Sequence, residues 1–396
     1  MSVILQPITI GGKLALKNRI VMGSMTRNRC VDDLKPGDAQ VRHYGDRARH
    51  GTGLLVSEGV FIDWTGSEFP NAPVIINEEH AQAWRKVVHA VHSQGSKMYL
   101  QTWHAVGRLQ HEYDTRMKST NIPVLAPSDI PATGGKYRHL PGNPGHTDKL
   151  TVIENPRTVI ETYRRAILLA KQAGFDGIEI LAQGGYLVHQ FLSSRINHRT
   201  DAYGGSVENR CRFLLELVDV VAEVYGGAEY ACVKICPADI CNGSITTYKE
   251  LKETYSYLVT ELVKRRVGIV CISRRGSVFD DDFADTMGAP GRPEEFALPP
   301  GYDPVLDLGS LVKYPGSPSL LMANHAYTPV EAERLMTLDK IDLVQIARPF
   351  MFNPDLVVRV RDGIPLAEND RGSMVEYGPF KCPDENYNDW PVAAAM

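Results

Sequence analysis

Eight short apolar segments alternate with amphipathic ones almost from end to end, and this alternation restricts the chain to few folds. The segments are 19-RIVMG-23, 53-GLLVSEG-59, 97-KMYLQTW-103, 176-DGIEIL-181, 231-ACVKI-235, 267-VGIVCIS-273, 319-SLLMA-323 and 341-IDLVQIA-347. Val, Ile and Leu fall on consecutive positions in them, as in parallel strands covered on both faces. Helical periodicity fills the intervals, including 79-EHAQAWRKVVHAVHSQG-95, 157-RTVIETYRRAILLAKQAG-174 and 206-SVENRCRFLLELVDVVAEVYGG-227. Gly95, Gly174 and Gly226 stand where helix C-termini favour a left-handed residue, and Ser206 is a natural N-cap. Eight strand–helix units favour a (β/α)8 TIM barrel over an open doubly wound sheet. No GxGxxG follows an early strand, which weakens the dinucleotide-fold alternative. For 396 residues the expectation is a single barrel domain, 1–396, enlarged by insertions.

The opening 7-PITIGGKLALKN-18 reads as a β-hairpin turning at Gly11-Gly12, a lid on the bottom of the barrel. Two long polar stretches, 110–150 after strand three and 274–316 after strand six, interrupt the alternation. Both follow strand C-termini and are expected to overhang the catalytic face. A net charge of −4 gives no reason to expect a nucleic-acid or membrane partner. No apolar run approaches the roughly 20 residues of a membrane span, and no signal region opens the chain. Seven cysteines without regular spacing fit reduced thiols in a cytoplasmic protein. Cys236 and Cys241 read as small buried hydrophobes, and no metal site is expected. Asn242-Gly243-Ser244 matches a glycosylation acceptor by chance.

Reacting groups of a barrel stand at strand C-termini, so those positions form a list of candidates. Strand one is followed by Ser24, Met25, Thr26 and Arg27, and strand two ends in Ser57-Glu58-Gly59. Strand three carries Gln101, Trp103 and His104, and strand four ends in Leu181 and leads to Tyr186. Lys234 lies in strand five, and strands seven and eight run into 323-ANHAYTP-329 and 347-ARPFMFNPD-355. Loops after strands seven and eight are the usual phosphate site of a barrel. Arg348 there is either a bidentate clamp on an anion or the partner of a nearby carboxylate. An inward Lys234 serves Schiff-base chemistry, a cofactor contact or a structural ion pair. Gln101 is either a ligand contact or a satisfied core amide. His104 reads as a buttress of its loop, and His189 as facing helix packing. The residues alone imply a phosphate-bearing ligand held above the barrel by amide, hydroxyl and cationic groups.

At these same positions the sequence resembles the Old Yellow Enzyme family of FMN-dependent ene-reductases. The most specific stretch is 186-YLVHQFLSSRINHRTDAYGGSVENRCRF-213, which follows the family pattern Asn-x-Arg-x-Asp-x-Tyr-Gly-Gly-Ser-x-Glu-Asn-Arg-x-Arg-Phe from Asn197 to Phe213. Similarity extends through 18-NRIVMGSMTR-27, 101-QTWHAVGR-108, 347-ARPFMFNPDL-356 and 377-YGPFKCPDENYNDWP-391. The resemblance implies FMN as cofactor and NADPH or NADH as reductant. It implies that Thr26 bonds the flavin O4 edge, Gln101 the pyrimidine, and the Gly59 backbone the ring. Arg348 and the His325-Ala326 backbone would hold the phosphate, with Ser24, Met25 and Ala347 in the same cofactor-binding segments. Trp103 and Tyr377 would line the substrate space, and Tyr186 would donate the proton.

The departures are informative. The family's His-x-x-Asn (or His-x-x-His) pair, which bonds the substrate's activating oxygen and the nicotinamide carboxamide, falls on Leu181 and Gly184. Neither side chain can hydrogen-bond. The family arginine beside flavin N1 is Lys234, two phosphate-loop glycines are His325 and Ala326, and the glycine before the phosphate arginine is Ala347. One extra residue (Ala105 or Val106) follows Trp103. The resemblance therefore implies an FMN oxidoreductase that reduces an activated alkene, or desaturates in reverse, on a specialised small-molecule substrate. Alternatives are a redox-neutral isomerase or cyclisation enzyme, and a non-catalytic flavin-binding protein. A monomer or homodimer is expected.

Overall fold

The computed structural model describes residues 2–66, 69–104, 122–132, 146–274, 292–372, 375 and 380–393. The hairpin forms as expected, with strands β1 (Ile8–Ile10) and β2 (Leu14–Leu16) antiparallel. Its turn needs two left-handed residues, and Gly11 (φ +55°) and Gly12 (φ +71°) supply them. Ile10, Leu14 and Leu16 pack onto Val21, Leu54, Tyr99 and Met322 of the barrel interior. The hairpin thus plugs the end opposite the strand C-termini.

The barrel strands are β3 (Ile20–Met22), β4 (Leu54–Phe61) and β5 (Lys97–Trp103), then, after the small strands β6 (Val124–Ala126) and β7 (Leu150–Val152), β8 (Gly177–Ala182), β9 (Ala231–Ile235), β10 (Ile269–Ser273), β11 (Leu320–Asn324) and β12 (Leu343–Ile346). They close in a parallel ring, with β12 pairing back to β3 through Val344 and Ile20. This is a (β/α)8 TIM barrel. All eight expected strands are present. β4 runs past its expected end because a bulge between Val56 and Gly59 shifts its register on β5 and carries the strand on to Phe61.

Helices at Glu78–His92, Pro156–Ala173 and Val207–Tyr225 match the expected segments. Gly174 and Gly226 are the left-handed C-caps of the last two, and the Ser206 side chain accepts from Asn209 N. The two long stretches are not purely irregular. β6 lies within the first and pairs in parallel with β7, which starts at its last residue. In the second, Asp303 accepts from Val305 N and caps a short helix, Pro304–Gly309. That Asp-Pro start is a helix signal in its own right. Among the described residues, no helix is long and apolar enough to cross a membrane.

The most specific sequence motif turns out to be scaffolding. Asn197 Nδ2 donates to the carbonyls of Phe191 (2.8 Å) and Tyr203 (2.7 Å). Arg199 reaches the carbonyls of Pro127 and Ile153 (3.2 and 2.5 Å), anchoring the loop that joins the helices to the β6–β7 segment. Arg210 gives Nε to Leu192 O (3.0 Å) and Nη2 to Thr254 Oγ1 (3.0 Å). Phe191 and Phe213 stack 4.1 Å apart beneath. These donors lock the short helix Leu187–Leu192, and with it the strand-four loop, onto the Val207–Tyr225 helix.

Candidate active site

A cavity of about 350 Å³ opens at the C-terminal end of the barrel. It is lined by Ser24, Met25 and Thr26 after β3, Gln101 and Trp103 of β5, Leu181, Gly184 and Tyr186 after β8, and Lys234 of β9. His325 and Ala326 after β11 and Ala347 and Arg348 after β12 complete one end. One expected residue among those described, Gly59, is not on this lining. Gly59 lies under Trp103: a Cβ there would stand 2.5 Å from the indole Cε3, so glycine lets the ring lie on the strand. Tyr377 falls outside the described residues, as do Ala105 and Val106.

The floor of the cavity is a hydrogen-bonded chain. Ser24 Oγ donates to Gln101 Oε1 (2.8 Å), and Gln101 Nε2 donates to Glu179 Oε1 (2.6 Å). Gln345 Nε2 donates to the other carboxylate oxygen, Glu179 Oε2 (2.6 Å). Glu179 is completely buried. Lys234, also buried, brings its side chain to the cavity and forms no ion pair among the described residues. Glu179 and Gln345 escaped the sequence reading. Their signal was a polar side chain at an inward position of an apolar strand.

At the other end, His325 (φ +75°) and Ala326 (φ +56°) both adopt the left-handed conformation. Such a backbone costs a non-glycine residue about 1–3 kcal/mol. Neighbouring contacts hold it: Arg274 N donates to Asn324 O (3.0 Å), and the Arg274 guanidinium stacks 3.6 Å from the Tyr327 ring. Arg274 also pairs with Asp303 (3.1 Å) and with Glu331. The loop therefore keeps a glycine-like turn, and Arg348 lines the same cavity.

The wall nearest β8 is apolar and aromatic. Trp103 stacks on Phe61 (4.7 Å between centroids) and meets Tyr186 edge-on (5.2 Å). Leu181 belongs to the same apolar cluster. The turn beyond it is pinned from below: Gly184 N donates to Asp239 Oδ2 (2.6 Å), and Asn242 Nδ2 donates to Gly184 O (2.7 Å). Gly185 N donates to His189 Nδ1 (3.1 Å), and His189 Nε2 meets the Tyr255 hydroxyl at 3.1 Å. His189 is thus buried among helix contacts, as expected. Asn242 has a structural role here. Gln183, between Leu181 and Gly184, also lines the cavity, and Ser273 Oγ donates to its Oε1 (2.8 Å). It is a polar group that the sequence reading passed over. His104 is buried beside Gly66, and Cys236 and Cys241 are buried thiols.

Fold and cavity together describe a (β/α)8 barrel with a cavity at its strand C-termini, the left-handed His325-Ala326 turn and Arg348 on its lining, and a polar floor below. The NADH:flavin oxidoreductase / NADH oxidase family model matches residues 3–367. A flavin oxidoreductase of Emericella nidulans is 33% identical, with 98% of this chain and 97% of that protein covered. Chanoclavine-I aldehyde reductase of Penicillium roqueforti is 32% identical over 100% of this chain and 97% of its own length. The structure of morphinone reductase superposes with a TM-score of 0.81 at 31% identity, covering 98% of this chain and 96% of that one. An old yellow enzyme homologue from Zymomonas mobilis gives 0.82 at 25% identity, covering 98% and 99%. The chain belongs to the NADH:flavin oxidoreductase, or Old Yellow Enzyme, family and is an FMN-dependent oxidoreductase using a nicotinamide reductant.

Proposed function

We propose that this protein transfers hydride to or from a specialised alkene substrate that its apolar wall orients, with Tyr186 moving the proton. The observation that carries this reading is the wall itself: Leu181, Gly184, Trp103 and Tyr186 line one cavity, and Leu181 packs with Trp103 and Tyr186. Arg348 and the left-handed His325-Ala326 loop suit the FMN phosphate, while Thr26, Ser24 and Gln101 suit the ring. Bound FMN supplies the hydride. Lys234 puts positive charge beside the cavity floor, which favours negative charge developing there. Tyr186 holds a phenol proton over the cavity, and an ordinary phenol is acidic enough to quench a carbanion-like carbon.

Without side-chain donors at 181 and 184, substrate activation rests on its own reactivity, on Gln183, and on apolar contact that fixes a near-attack geometry. The similarity to a protein named as chanoclavine-I aldehyde reductase supports a substrate of secondary metabolism. The same missing donors favour a second reading, a redox-neutral isomerisation or cyclisation, because the usual nicotinamide carboxamide contact is missing too. Anaerobic stopped-flow with NADPH and with NADH, followed by product analysis over an alkene panel, separates them. Reduced product formed at the expense of nicotinamide supports the first reading; a product of unchanged oxidation state supports the second. Tyr186→Phe should keep the flavin spectrum and slow the substrate half-reaction by on the order of 10²-fold. Unchanged turnover and stereochemistry would make Tyr186 a wall residue only.

A further inference from the structure

The buried carboxylate under the cavity lies outside the chemistry of hydride and proton transfer at the wall. Glu179 sits in β8 in register with Gln101 of β5 on one side and Cys232 of β9 on the other. Each of its oxygens takes an amide N–H at 2.6 Å, one from Gln101 and one from Gln345. Cys232 Sγ adds a weak contact to Oε2 at 3.6 Å, and Cys271 Sγ points to Gln345 Oε1 at 3.7 Å. A fully buried carboxylate inside an apolar barrel is costly unless its partners are well placed, and here they are.

We infer that Glu179 is the positioning residue of the flavin floor: it fixes the orientation of the Gln101 and Gln345 amides and sets a negative charge beneath the cofactor. An amide can be turned over at little intrinsic cost, so something must decide which end faces up. An ionised carboxylate only accepts hydrogen bonds. Two amides facing one carboxylate must both turn their nitrogens toward it. Gln101 Oε1 is thereby committed to the Ser24 side, and the amide offers the cavity one fixed pattern of donor and acceptor. Glu179 is fully buried and does not line the cavity. It acts through Gln101 and Gln345, both of which line the cavity, and through its charge.

That charge has a direction. A buried negative group opposes further negative charge above it, whereas Lys234 favours it. The two residues are in neighbouring strands, and their opposed effects set how readily a bound flavin takes up electrons. This inference rests on the flavin assignment of the cavity, and the experiment distinguishes the two.

Glu179→Gln keeps the shape but introduces an N–H where an acceptor stood, so one of the two amides must turn or lose its bond. Glu179→Asp keeps the charge but withdraws it by one methylene. Apoprotein of each is titrated with FMN by fluorescence, and the midpoint potential of the bound flavin is measured. Glu179→Gln should weaken FMN by about tenfold, the loss of one charge-assisted hydrogen bond, and should raise the midpoint potential. Glu179→Asp should weaken FMN similarly and leave the potential close to that of the unmodified protein. Glu179→Asp also serves if Glu179→Gln fails to fold. FMN affinity and potential unchanged in the variants, with only a lower Tm, would reduce Glu179 to a structural core group and overturn the inference. Failure of the unmodified protein to bind FMN would instead overturn the cavity assignment.

Discussion

Tyr186 occupies the space that a side chain on Gly184 would need. A Cβ at 184 would stand 2.7 Å from Tyr186 Cε2 and 3.0 Å from Cδ2, and the backbone there holds φ +73°. Asparagine tolerates that φ better than most residues, yet it could not enter without moving the phenol. A hydrogen-bonding group at 184 and the present position of Tyr186 therefore exclude each other. The wall is one interdependent unit.

This bears on any attempt to rebuild the missing clamp. A well-aligned donor to a developing enolate oxygen is worth about 10²–10³ in rate, so the unmodified protein should reduce cyclohexenone poorly even with fully reduced flavin. Leu181→His alone should recover part of that, roughly tenfold. Adding Gly184→Asn should cancel the gain by displacing Tyr186. Dithionite-reduced enzyme, followed through the substrate half-reaction, avoids interference from weak nicotinamide binding. A double variant clearly faster than Leu181→His would show that the ring relocates without cost.

Arg348→Ala tests the anion end. Losing a charge-assisted, bidentate contact costs about 2 kcal/mol or more, a drop in FMN affinity of roughly thirtyfold. The measurement is fluorescence titration of apoprotein, supported by the flavin-to-protein absorbance ratio after purification. Full flavin occupancy in the variant would assign Arg348 to its protein contacts instead.

The eight strands were legible because strands covered on both faces carry continuous apolar runs, a pattern hard to produce otherwise. The bulge in β4 was not, since Ser57-Glu58-Gly59 reads as a strand end when the pairing partner is unknown. Within the site, positions after strand ends were readable from topology alone, as Arg348 and Tyr186 illustrate. Glu179, Gln345 and Gln183 were missed for a shared reason: each acts through partners on other strands, and sequence spacing does not show those partners. Glu179 did leave a trace, a carboxylate on the inward side of 177-GIEILA-182. The strained turn at His325-Ala326 left little in the residues themselves, because alanine disfavours a left-handed backbone.

That strain is itself measurable. Ala326 at φ +56° lacks the freedom glycine would have, and the left-handed region costs an alanine roughly 1–2 kcal/mol. Ala326→Gly should relieve most of this, less the greater entropy of an unfolded glycine, for a net gain of about 1 kcal/mol. Urea denaturation with an unchanged slope would report it. A loss of stability would mean that the methyl group packs well enough to outweigh the strain.

One buried carboxyl should make the stability of the fold depend on pH. Glu58 lies completely buried in the β4 bulge, where Arg27 N donates to its Oε2 (3.2 Å) and its own N donates to the Tyr44 hydroxyl oxygen (2.7 Å). Burial pushes its carboxyl up from 4.5 to about 7, against the opposing pull of the Arg27 N–H bond and of the Arg27 and Arg29 guanidiniums. The folded protein thus keeps a proton that the unfolded chain releases at lower pH. Stability linked to this group is fully present below about 4.5 and is lost as pH rises to about 7. Each tenfold difference in proton affinity between the folded and unfolded chain is worth about 1.4 kcal/mol, so the loss is on the order of 3 kcal/mol. Arg27 Nη2 also donates to Asn386 O (2.7 Å), and Arg29 Nη2 to Glu385 O (2.9 Å), so the C-terminal segment is tied to the same cluster. Glu58→Gln keeps an acceptor for Arg27 N but cannot ionise. Between pH 5 and pH 8 the unmodified protein should lose more stability than Glu58→Gln, and the variant should be the more stable of the two at pH 8. Parallel urea titrations at both pH values decide it, since other titrating groups cancel in the comparison. Equal pH dependence in the two proteins would mean that Glu58 is ionised in the folded state throughout this range.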